Sequence, residues 1–193
     1  MIRIVDAMNE ELQKFERNQV WALAENPNND HNVIGIKWVF GNKQDKDGHI
    51  VCNKARLVTQ GYTQVEGMDY GETYTPFTRL ESICILLAYA NHQDITLYQM
   101  DIKSAFLNGE IEEEVYVKQP PDFVNPKKPN NVYKLHKALY GLKQAPAAWY
   151  KCLTKFLIEK GFEIGKIDST LFTKRVNGEL FVCQIYVDDI IFG

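Results

Sequence analysis

Long apolar runs, repeats and low-complexity segments are missing from this 193-residue sequence, and each absence excludes a class of protein. No apolar run approaches the roughly 20 residues of a membrane span, so no membrane partner is expected. The N-terminal stretch MIRIVDAMNEELQKFE carries acids and lacks an apolar core, so it is not expected to be a signal peptide. An apolar fraction of 45% and a charged fraction of 24% are typical of one globular domain, free-standing or part of a larger protein.

Cysteines are few and widely spaced. The chain has four, without a C-x-x-C pair and without a histidine at ligand spacing. We therefore expect reduced thiols in a reducing compartment at Cys52, Cys84, Cys152 and Cys183. The alternative is a disulfide framework or a zinc site.

Acidic residues are absent between Val124 and Ile158, although this segment carries seven lysines. Acids are concentrated elsewhere, at positions 110–114 and in the pair Asp188–Asp189. In a chain of net charge −3, this segregation predicts one basic face and one acidic site. From charge alone, a solvated helix face explains the lysines equally well. They are Lys127, Lys128, Lys134, Lys137, Lys143, Lys151 and Lys155.

Strand-like and helix-like segments alternate without regular βαβ units, which predicts an α+β fold. The β-rich runs at 33–43 and 49–60 flank the polar tip QDKDG and predict a hairpin. A Gly- and Pro-containing loop follows. Further strands are predicted at 95–101, 114–119, 131–135 and 178–187.

Two helices are predicted. The TRLE sequence at 78–81 is typical of a capping box, in which Thr78 caps a helix that extends to about His92. The second helix begins at Ala145–Pro146 and closes at Gly161. The apolar stripe of the first helix is predicted to contain Leu80, Ile83, Cys84, Leu87 and Ala88.

Two adjacent aspartates, Asp188 and Asp189, interrupt an apolar run near the end of the chain. In a regular strand their side chains would point to opposite faces. The flanking apolar runs IYV and IIF suggest instead that VDD is the turn of a β-hairpin, which would bring both carboxylates to one edge.

Crowded carboxylates repel each other, and a divalent cation relieves this repulsion. Magnesium prefers carboxylate, phosphate and water oxygens, and two such ions about 4 Å apart can support phosphoryl chemistry. Asp101 ends another predicted strand and would be the third carboxylate if the strands ending at 101 and 187 are neighbours. The alternative is two unrelated turns with surface aspartates.

The motifs together resemble the reverse transcriptases of copia-type (Ty1/copia) retrotransposons. YVDDIIFG is similar to their Y-x-D-D signature, and QMDIKSAFLNGEIEEEVYVKQPPDF resembles the preceding aspartate motif. KWVF, NKARLVTQGYTQVEGMDY, ETYTPFTRL and LYGLKQAPAAWY follow the same pattern in the same order. The resemblance covers nearly the whole chain.

The resemblance implies an RNA-directed DNA polymerase that uses two Mg²⁺ ions, with Mn²⁺ as a substitute. It implies a right-hand polymerase fragment, with fingers at about 20–78 and a palm at about 79–193 that includes additional fingers segments. The expected partners are an RNA or DNA template with its primer, a dNTP, and the rest of a Pol polyprotein (thumb, RNase H and integrase). The expected location is a cytoplasmic virus-like particle or the nucleus.

The resemblance also implies that the chain stops before the thumb, so that the palm and the second strand of the Asp hairpin are incomplete.

Site roles follow from the resemblance position by position. Asp101, Asp188 and Asp189 would be catalytic and would hold the metal, together with the backbone of Ile102. Phe106 stands where the family places a steric gate against the ribose 2′-hydroxyl, although it could also be a core residue. Nucleotide contacts are expected from Lys54, Arg56, Ala105, Phe106, Tyr140 and Gln144, and template or primer contacts from Gly141, Lys143 and Tyr186.

Some of these roles have alternatives. Lys54 and Arg56 could belong to a solvated hairpin face rather than to a triphosphate site. Tyr140 falls where retroviral enzymes carry glutamine, so stacking is the expected contact there. Trp149 and Tyr150 are expected in the core and on a helix surface.

Four positions depart from the family pattern. Gly41, Cys52 and Ala147 replace basic residues, and Asp122 replaces glycine. Each lost phosphate contact weakens nucleic-acid binding and its salt dependence.

The departures leave a first alternative to an active polymerase, a catalytically dead remnant that at most binds nucleic acid. A second alternative is an unrelated magnesium phosphohydrolase built on the three aspartates.

Overall fold

The computed structural model describes residues 4–27 and 31–193 and divides into two compact units. Residues 1–3, part of the N-terminal stretch discussed above, and residues 28–30 lie outside the described residues. Unit 1 comprises Met1–Thr73 and Phe106–Trp149, and unit 2 comprises Tyr74–Ala105 and Tyr150–Gly193.

Helices and strands are mixed throughout the described residues, as the sequence predicts. The helices are α1 (Ile4–Arg17), α2 (Leu80–His92) and α3 (Ala145–Glu159). The strands are β1 (Trp21–Ala24), β2 (Val33–Ile34), β3 (Ile36–Gln44), β4 (Ile50–Thr59), β5 (Tyr98–Asp101), β6 (Tyr116–Val117), β7 (Val132–Leu135), β8 (Glu163–Ile164), β9 (Leu171–Val176), β10 (Glu179–Tyr186) and β11 (Asp189–Phe192).

Unit 1 contains a four-stranded sheet in the order β1-β7-β6-β2 and the separate hairpin β3-β4. The hairpin pairs Ile36 with Thr59 and Gly41 with Lys54. Between its strands, Asp45 Oδ1 accepts the backbone N–H of Asp47 and of His49, which closes the polar tip. The predicted hairpin is therefore confirmed, except that residues 33–34 form a separate strand paired with β6.

The core of unit 1 lies between these strands and α1. Its fully buried residues include Phe15, Ile34, Leu57 and Leu139. Ala7 and Met8 of α1 pack with Ala55, which covers one face of strand β4. Because side chains alternate along a strand, the opposite face of β4 remains available for other contacts.

Unit 2 contains one five-stranded sheet in the order β5-β11-β10-β9-β8. All four residues of β11 pair with β10 on one side and with β5 on the other. The expectation that the second strand of the Asp hairpin has incomplete pairing is therefore wrong, because β5 supplies its second neighbour.

Helix α2 has the predicted extent, but its predicted cap and stripe are wrong. Its N-cap is Arg79, without a side-chain cap bond, because the Thr78 hydroxyl contacts the carbonyl of Ile185 instead. The buried residues are Leu86 and Ala90, whereas Leu80 and Leu87 of the predicted stripe are 72% and 50% exposed. The helix is apolar on several faces, so periodicity alone did not identify the buried one.

Helix α3 and the remaining strands largely follow the sequence. The helix begins at Ala145, and Gly161 beyond its end has φ 84°, as a left-handed C-cap requires. The predicted strands at 95–101, 114–119 and 131–135 are shorter in the structure. Four elements were not predicted: α1, β1, β8 and β9. In the part of the chain that the structure describes, no helix combines the length and apolarity needed to cross a membrane.

Candidate active site

The two adjacent aspartates lie at the hairpin that joins β10 to β11. Tyr186 pairs with Asp189 across a two-residue turn of Val187 and Asp188. The predicted hairpin is thus confirmed, with Asp189 as the first residue of the returning strand. Val187 has φ 55°, a left-handed conformation that is rare for a β-branched residue. Such strain persists only where surrounding contacts fix the backbone.

Strand β5 brings Asp101 to the same place. Asp101 pairs directly with Asp189, so both side chains lie on the same face of two adjacent antiparallel strands. The backbone N–H of Ile102 donates to the carbonyl of Asp188 at 2.8 Å. The strand that ends at 187 in the sequence, now β10, was considered as the neighbour of β5. The neighbour is instead β11, the strand that follows the turn, and this pairing brings the three aspartates together.

The three carboxylates are oxygen donors of the kind that hard divalent cations prefer. Asp101 and Asp188 are exposed and Asp189 is half-buried, and like charges directly opposite one another are unfavourable without a cation. The oxygens of these three residues do not all lie within 4.8 Å of one another. Among the described residues, only the exposed group of Asp45, Asp47 and His49 at the β3-β4 tip brings three potential ligand atoms within that distance of one another.

Gln99 is a neighbour of the carboxylates that the sequence reasoning missed. Its Nε2 donates to Asp189 Oδ1 at 3.3 Å. Gln99 precedes Asp101 by two residues in β5 and therefore shares its face. The two-residue period of a strand could have identified it.

A buried polar network lies beside the same hairpin in unit 2. Gln184 Nε2 donates to the Thr170 hydroxyl at 2.6 Å, and the Thr78 hydroxyl contacts both Thr170 and the carbonyl of Ile185. The backbone N–H of Ile185 donates to the carbonyl of Thr170 at 2.9 Å. Ile185 is thus fixed at both backbone groups, immediately before Tyr186 and the turn.

Asp168 extends this network. Burial raises the pKa of Asp168, but the hydrogen bonds that it accepts from Ser82, from the side chain and backbone of Thr170 and from Gln184 outweigh burial, so its pKa lies below the usual value. The network therefore holds a charged carboxylate at neutral pH.

In unit 1, the face of the β3-β4 hairpin opposite α1 is cationic. Lys54 and Arg56 alternate with the buried Ala55 and are exposed. Their cross-strand partners are Gly41 and Val39. Lys37 and Lys43 follow the same alternation on β3, and the face contains no acid. The departures at Gly41 and Cys52 fall on this same face and reduce its positive charge.

Tyr140 connects two of the predicted nucleotide residues. The Arg56 guanidinium lies 5.6 Å from the centroid of the Tyr140 ring, within cation–π range. The Phe106 ring packs edge-on against the same ring, with centroids 5.6 Å apart. Arg56, Phe106 and Tyr140 therefore form one cluster in unit 1, with Phe106 half-buried.

The loop that follows Tyr140 contains the other predicted contacts. The ammonium group of Lys143 donates to Tyr70 Oη at 2.9 Å and lies 4.4 Å from the centroid of its ring. Gly141 has φ 91°, and a Cβ there would lie 2.3 Å from the Thr59 carbonyl oxygen, so only glycine fits. Gln144, in contrast, is buried and hydrogen-bonded to protein groups.

The remaining predicted residues differ in exposure. Ala105 is buried, whereas Tyr186 is exposed and packs edge-on against Phe77, with ring centroids 5.4 Å apart. Trp149 is buried, as expected, whereas Tyr150, which was expected on the helix surface, is half-buried and donates its hydroxyl to the carbonyl of Ser169 at 2.7 Å. Of the seven lysines of the predicted basic face, Lys151 and Lys155 belong to unit 2 and the other five to unit 1.

The acids at 110–114 lie beside β7 in unit 1. They line a cavity of unit 1 together with His136 and Lys137. Glu114 accepts hydrogen bonds from Lys134 and Tyr116, which lower its pKa. Its charge is therefore compensated locally.

Sequence comparisons give a consistent result. Residues 18–193 match the protein family described as reverse transcriptase (RNA-dependent DNA polymerase). The chain is 40% identical over 186 residues to the retrovirus-related Pol polyprotein from transposon RE1 of Arabidopsis thaliana, covering 96% of this chain and 13% of that protein. It is 37% identical over 190 residues to the retrovirus-related Pol polyprotein from transposon TNT 1-94 of Nicotiana tabacum. The match covers 98% of this chain and 14% of that protein.

A less similar relative is a transposon polyprotein from yeast. The chain is 33% identical over 168 residues to the transposon Ty1-ER2 Gag-Pol polyprotein of Saccharomyces cerevisiae, covering 82% of this chain and 8% of that protein. The chain thus spans only a small part of each of these relatives.

Proposed function

The chain belongs to the reverse transcriptase family of copia-type transposon Pol polyproteins, and from this premise we propose that it catalyses RNA-directed DNA synthesis at the Asp101–Asp188–Asp189 site. The observation that carries the proposal is the direct pairing of Asp101 with Asp189 beside the Asp188 turn. Carboxylates from separate segments, 87 residues apart at the closest, meet at one sheet edge.

In the proposed reaction, the 3′-oxygen of a primer forms a bond to the α-phosphorus of a dNTP, and the bond to the leaving pyrophosphate breaks. Bound Mg²⁺ would favour the deprotonated hydroxyl and neutralise charge on the leaving group. Asp101, Asp188 and Asp189 would hold the ions, and the Ile102–Asp188 backbone bond would keep the carboxylates in place.

Four of the proposed nucleotide contacts belong to unit 1: Lys54, Arg56, Phe106 and Tyr140. Lys54 and Arg56 carry exposed positive charge without a neighbouring acid on their face, which suits a triphosphate. Phe106 and Tyr140 would contact the sugar and base by packing. We assign the fingers to about 20–78 and the palm to about 79–193, and the grouping of Phe106–Trp149 with the N-terminal residues supports the additional fingers segments.

The test is primer extension on an RNA template with a DNA primer, with Mg²⁺ and Mn²⁺ tried separately. The double variant Asp188→Asn/Asp189→Asn should lose extension, because neutral amides bind these ions weakly. The matched control is Asp45→Asn/Asp47→Asn, which removes two carboxylates from the other acidic group and should extend normally. The proposal would be contradicted if Asp188→Asn/Asp189→Asn still extends the primer and Asp45→Asn/Asp47→Asn does not.

A catalytically dead remnant is the second candidate function, favoured by the loss of positive charge at Gly41 and Cys52. It predicts no extension even when the chain is joined to the downstream part of its polyprotein. Extension by the joined protein would exclude it. The family match leaves an unrelated magnesium phosphohydrolase without support.

A further inference from the structure

Two glutamines from distant parts of the chain form a buried amide pair in unit 1. Gln64 Nε2 donates to Gln144 Oε1 at 2.9 Å, and the two residues are 6% and 3% exposed. Burial of a polar amide is unfavourable unless its groups are hydrogen-bonded. The pair therefore persists because its other groups also have partners.

Those partners are backbone groups of two loops. Gln64 Oε1 accepts the N–H of Lys143 at 2.8 Å, and Gln144 Nε2 donates to the carbonyl of Asp69 at 2.8 Å. The Asp69 carboxylate, 1% exposed, in turn accepts the N–H of Val65 at 2.8 Å and Nδ2 of Asn32 at 2.7 Å. The network thus joins the loop after β4 to the loop before α3.

The same loops touch at two further points. The Thr59 N–H donates to the carbonyl of Tyr140 at 2.7 Å. A Cβ on Gly61 would lie 1.9 Å from the carbonyl oxygen of Gly141, so the two backbones are in close contact. The loop at 140–144 is therefore held along its length by residues 59–69.

The loop at 140–144 carries two side chains that are expected to contact the nucleotide or the template. Its first residue, Tyr140, packs against Arg56 and Phe106, and its Lys143 ammonium group rests on Tyr70. Gln64 and Gln144 themselves face the protein interior. Their effect on a ligand can only be exerted through the loop.

We propose that Gln64 and Gln144 are positioning residues of the nucleotide site, whose buried amide pair fixes the loop that presents Tyr140 and Lys143. Gln144 then makes no nucleotide contact, in contrast to the expectation from the sequence. This inference rests on the proposed function for its effect on nucleotide binding, whereas its effect on the loop can be measured separately.

The variants for the test are Gln64→Met, Gln144→Met and the double variant, since methionine keeps the length of the side chain and removes its amide. The matched control is Gln119→Met. Gln119 is also buried in unit 1 and hydrogen-bonded through both amide atoms, to the carbonyls of Lys128 and Asn131 and to the N–H of Asn125, but it lies in another loop.

The first measurement is amide hydrogen exchange of Thr59 and Lys143 in the 193-residue chain. We expect the exchange rate to rise about tenfold or more in the Gln64 and Gln144 variants, because these variants release the loop at 140–144. In Gln119→Met the exchange rate should remain unchanged. Unchanged protection in all variants, or an equal rise in the control, would overturn the inference.

The second measurement is primer-extension kinetics. We expect the KM for dNTP to rise about five- to twentyfold with a smaller change in kcat, and the double variant to resemble either single variant because the two residues act together. An unaltered KM despite faster exchange would overturn the positioning role. If the unchanged chain extends no primer, the proposed function fails on this chain, while the exchange result still decides whether the amide pair fixes the loop.

Discussion

Individual residues in this protein are constrained by close contacts that their type alone does not reveal. Gly141 lies in the left-handed region and packs against Thr59, whereas Gly48 at the hairpin tip has a similar φ of 83° with open space around it. The two glycines therefore separate the cost of backbone conformation from the cost of a steric clash.

We predict that Gly141→Ala destabilises the protein more than Gly48→Ala. The left-handed conformation should cost each variant about 1 kcal/mol, and the clash with Thr59 should bring the cost for Gly141→Ala to about 3 kcal/mol or more. Urea unfolding of both variants measures the difference. Equal costs would show that the loop yields to the added methyl group.

Phe106 is the residue that the family resemblance assigns to sugar selection, and its ring is held by Tyr140. We predict that Phe106→Ala raises ribonucleotide incorporation about tenfold or more, because the space for a 2′-hydroxyl opens. Single-nucleotide extension with dNTP and rNTP measures the ratio, with Phe106→Tyr as the aromatic control. Unchanged sugar selectivity in an active Phe106→Ala variant would contradict this role.

Secondary-structure elements are held in place by buried polar contacts as well as by apolar packing. Thr78, two residues before the start of α2, was predicted to cap the helix. Its hydroxyl instead contacts Ile185 and Thr170, so it ties the start of the helix to strand β10. The contact lies just before the turn that carries Asp188, where Val187 is strained.

We predict that Thr78→Val, which preserves the shape of the side chain, destabilises unit 2 by about 1–3 kcal/mol because buried acceptors lose their donor. Thr78→Ser keeps the hydroxyl and should cost less. The rate of thiol labelling at Cys183, a buried residue of β10, reports the opening of this unit under mild urea. Equal labelling rates for Thr78→Val and the unchanged chain would show that the Thr78 hydroxyl does not stabilise the contact between the start of α2 and β10.

At the scale of the whole molecule, the four cysteines report on both units. All four lie in the described part of the chain and are thiols rather than disulfides, which confirms the sequence expectation on this point. Cys84 is exposed, whereas burial raises the pKa of Cys183 to about 11.

We predict that Cys84 reacts first with a thiol reagent at pH 8 and that Cys183 reacts only on unfolding. With a pKa of about 11, about one Cys183 in a thousand would be a thiolate at pH 8, and the residue is buried as well. Mass-spectrometric mapping of the labelled peptides measures the order. Early labelling of Cys183 in the folded chain would contradict the structure of unit 2.

The sequence by itself determined the features that depend on neighbouring residues. Turn residues and short-range periodicity were sufficient for the β3-β4 hairpin, for the extent of α2 and α3 and for the Asp188 turn, and the ordered motifs were sufficient for the family. These signals are local because turns and helices are stabilised by residues a few positions apart.

Tertiary structure alone decided which distant residues meet. The pairing of Asp101 with Asp189 and the bond between Gln64 and Gln144, 80 residues apart, depend on how the chain returns to itself. The same is true of the Thr78 contact and of the buried face of α2. Buried polar groups take whichever partners the packed chain brings within hydrogen-bond distance, and no local pattern records that choice.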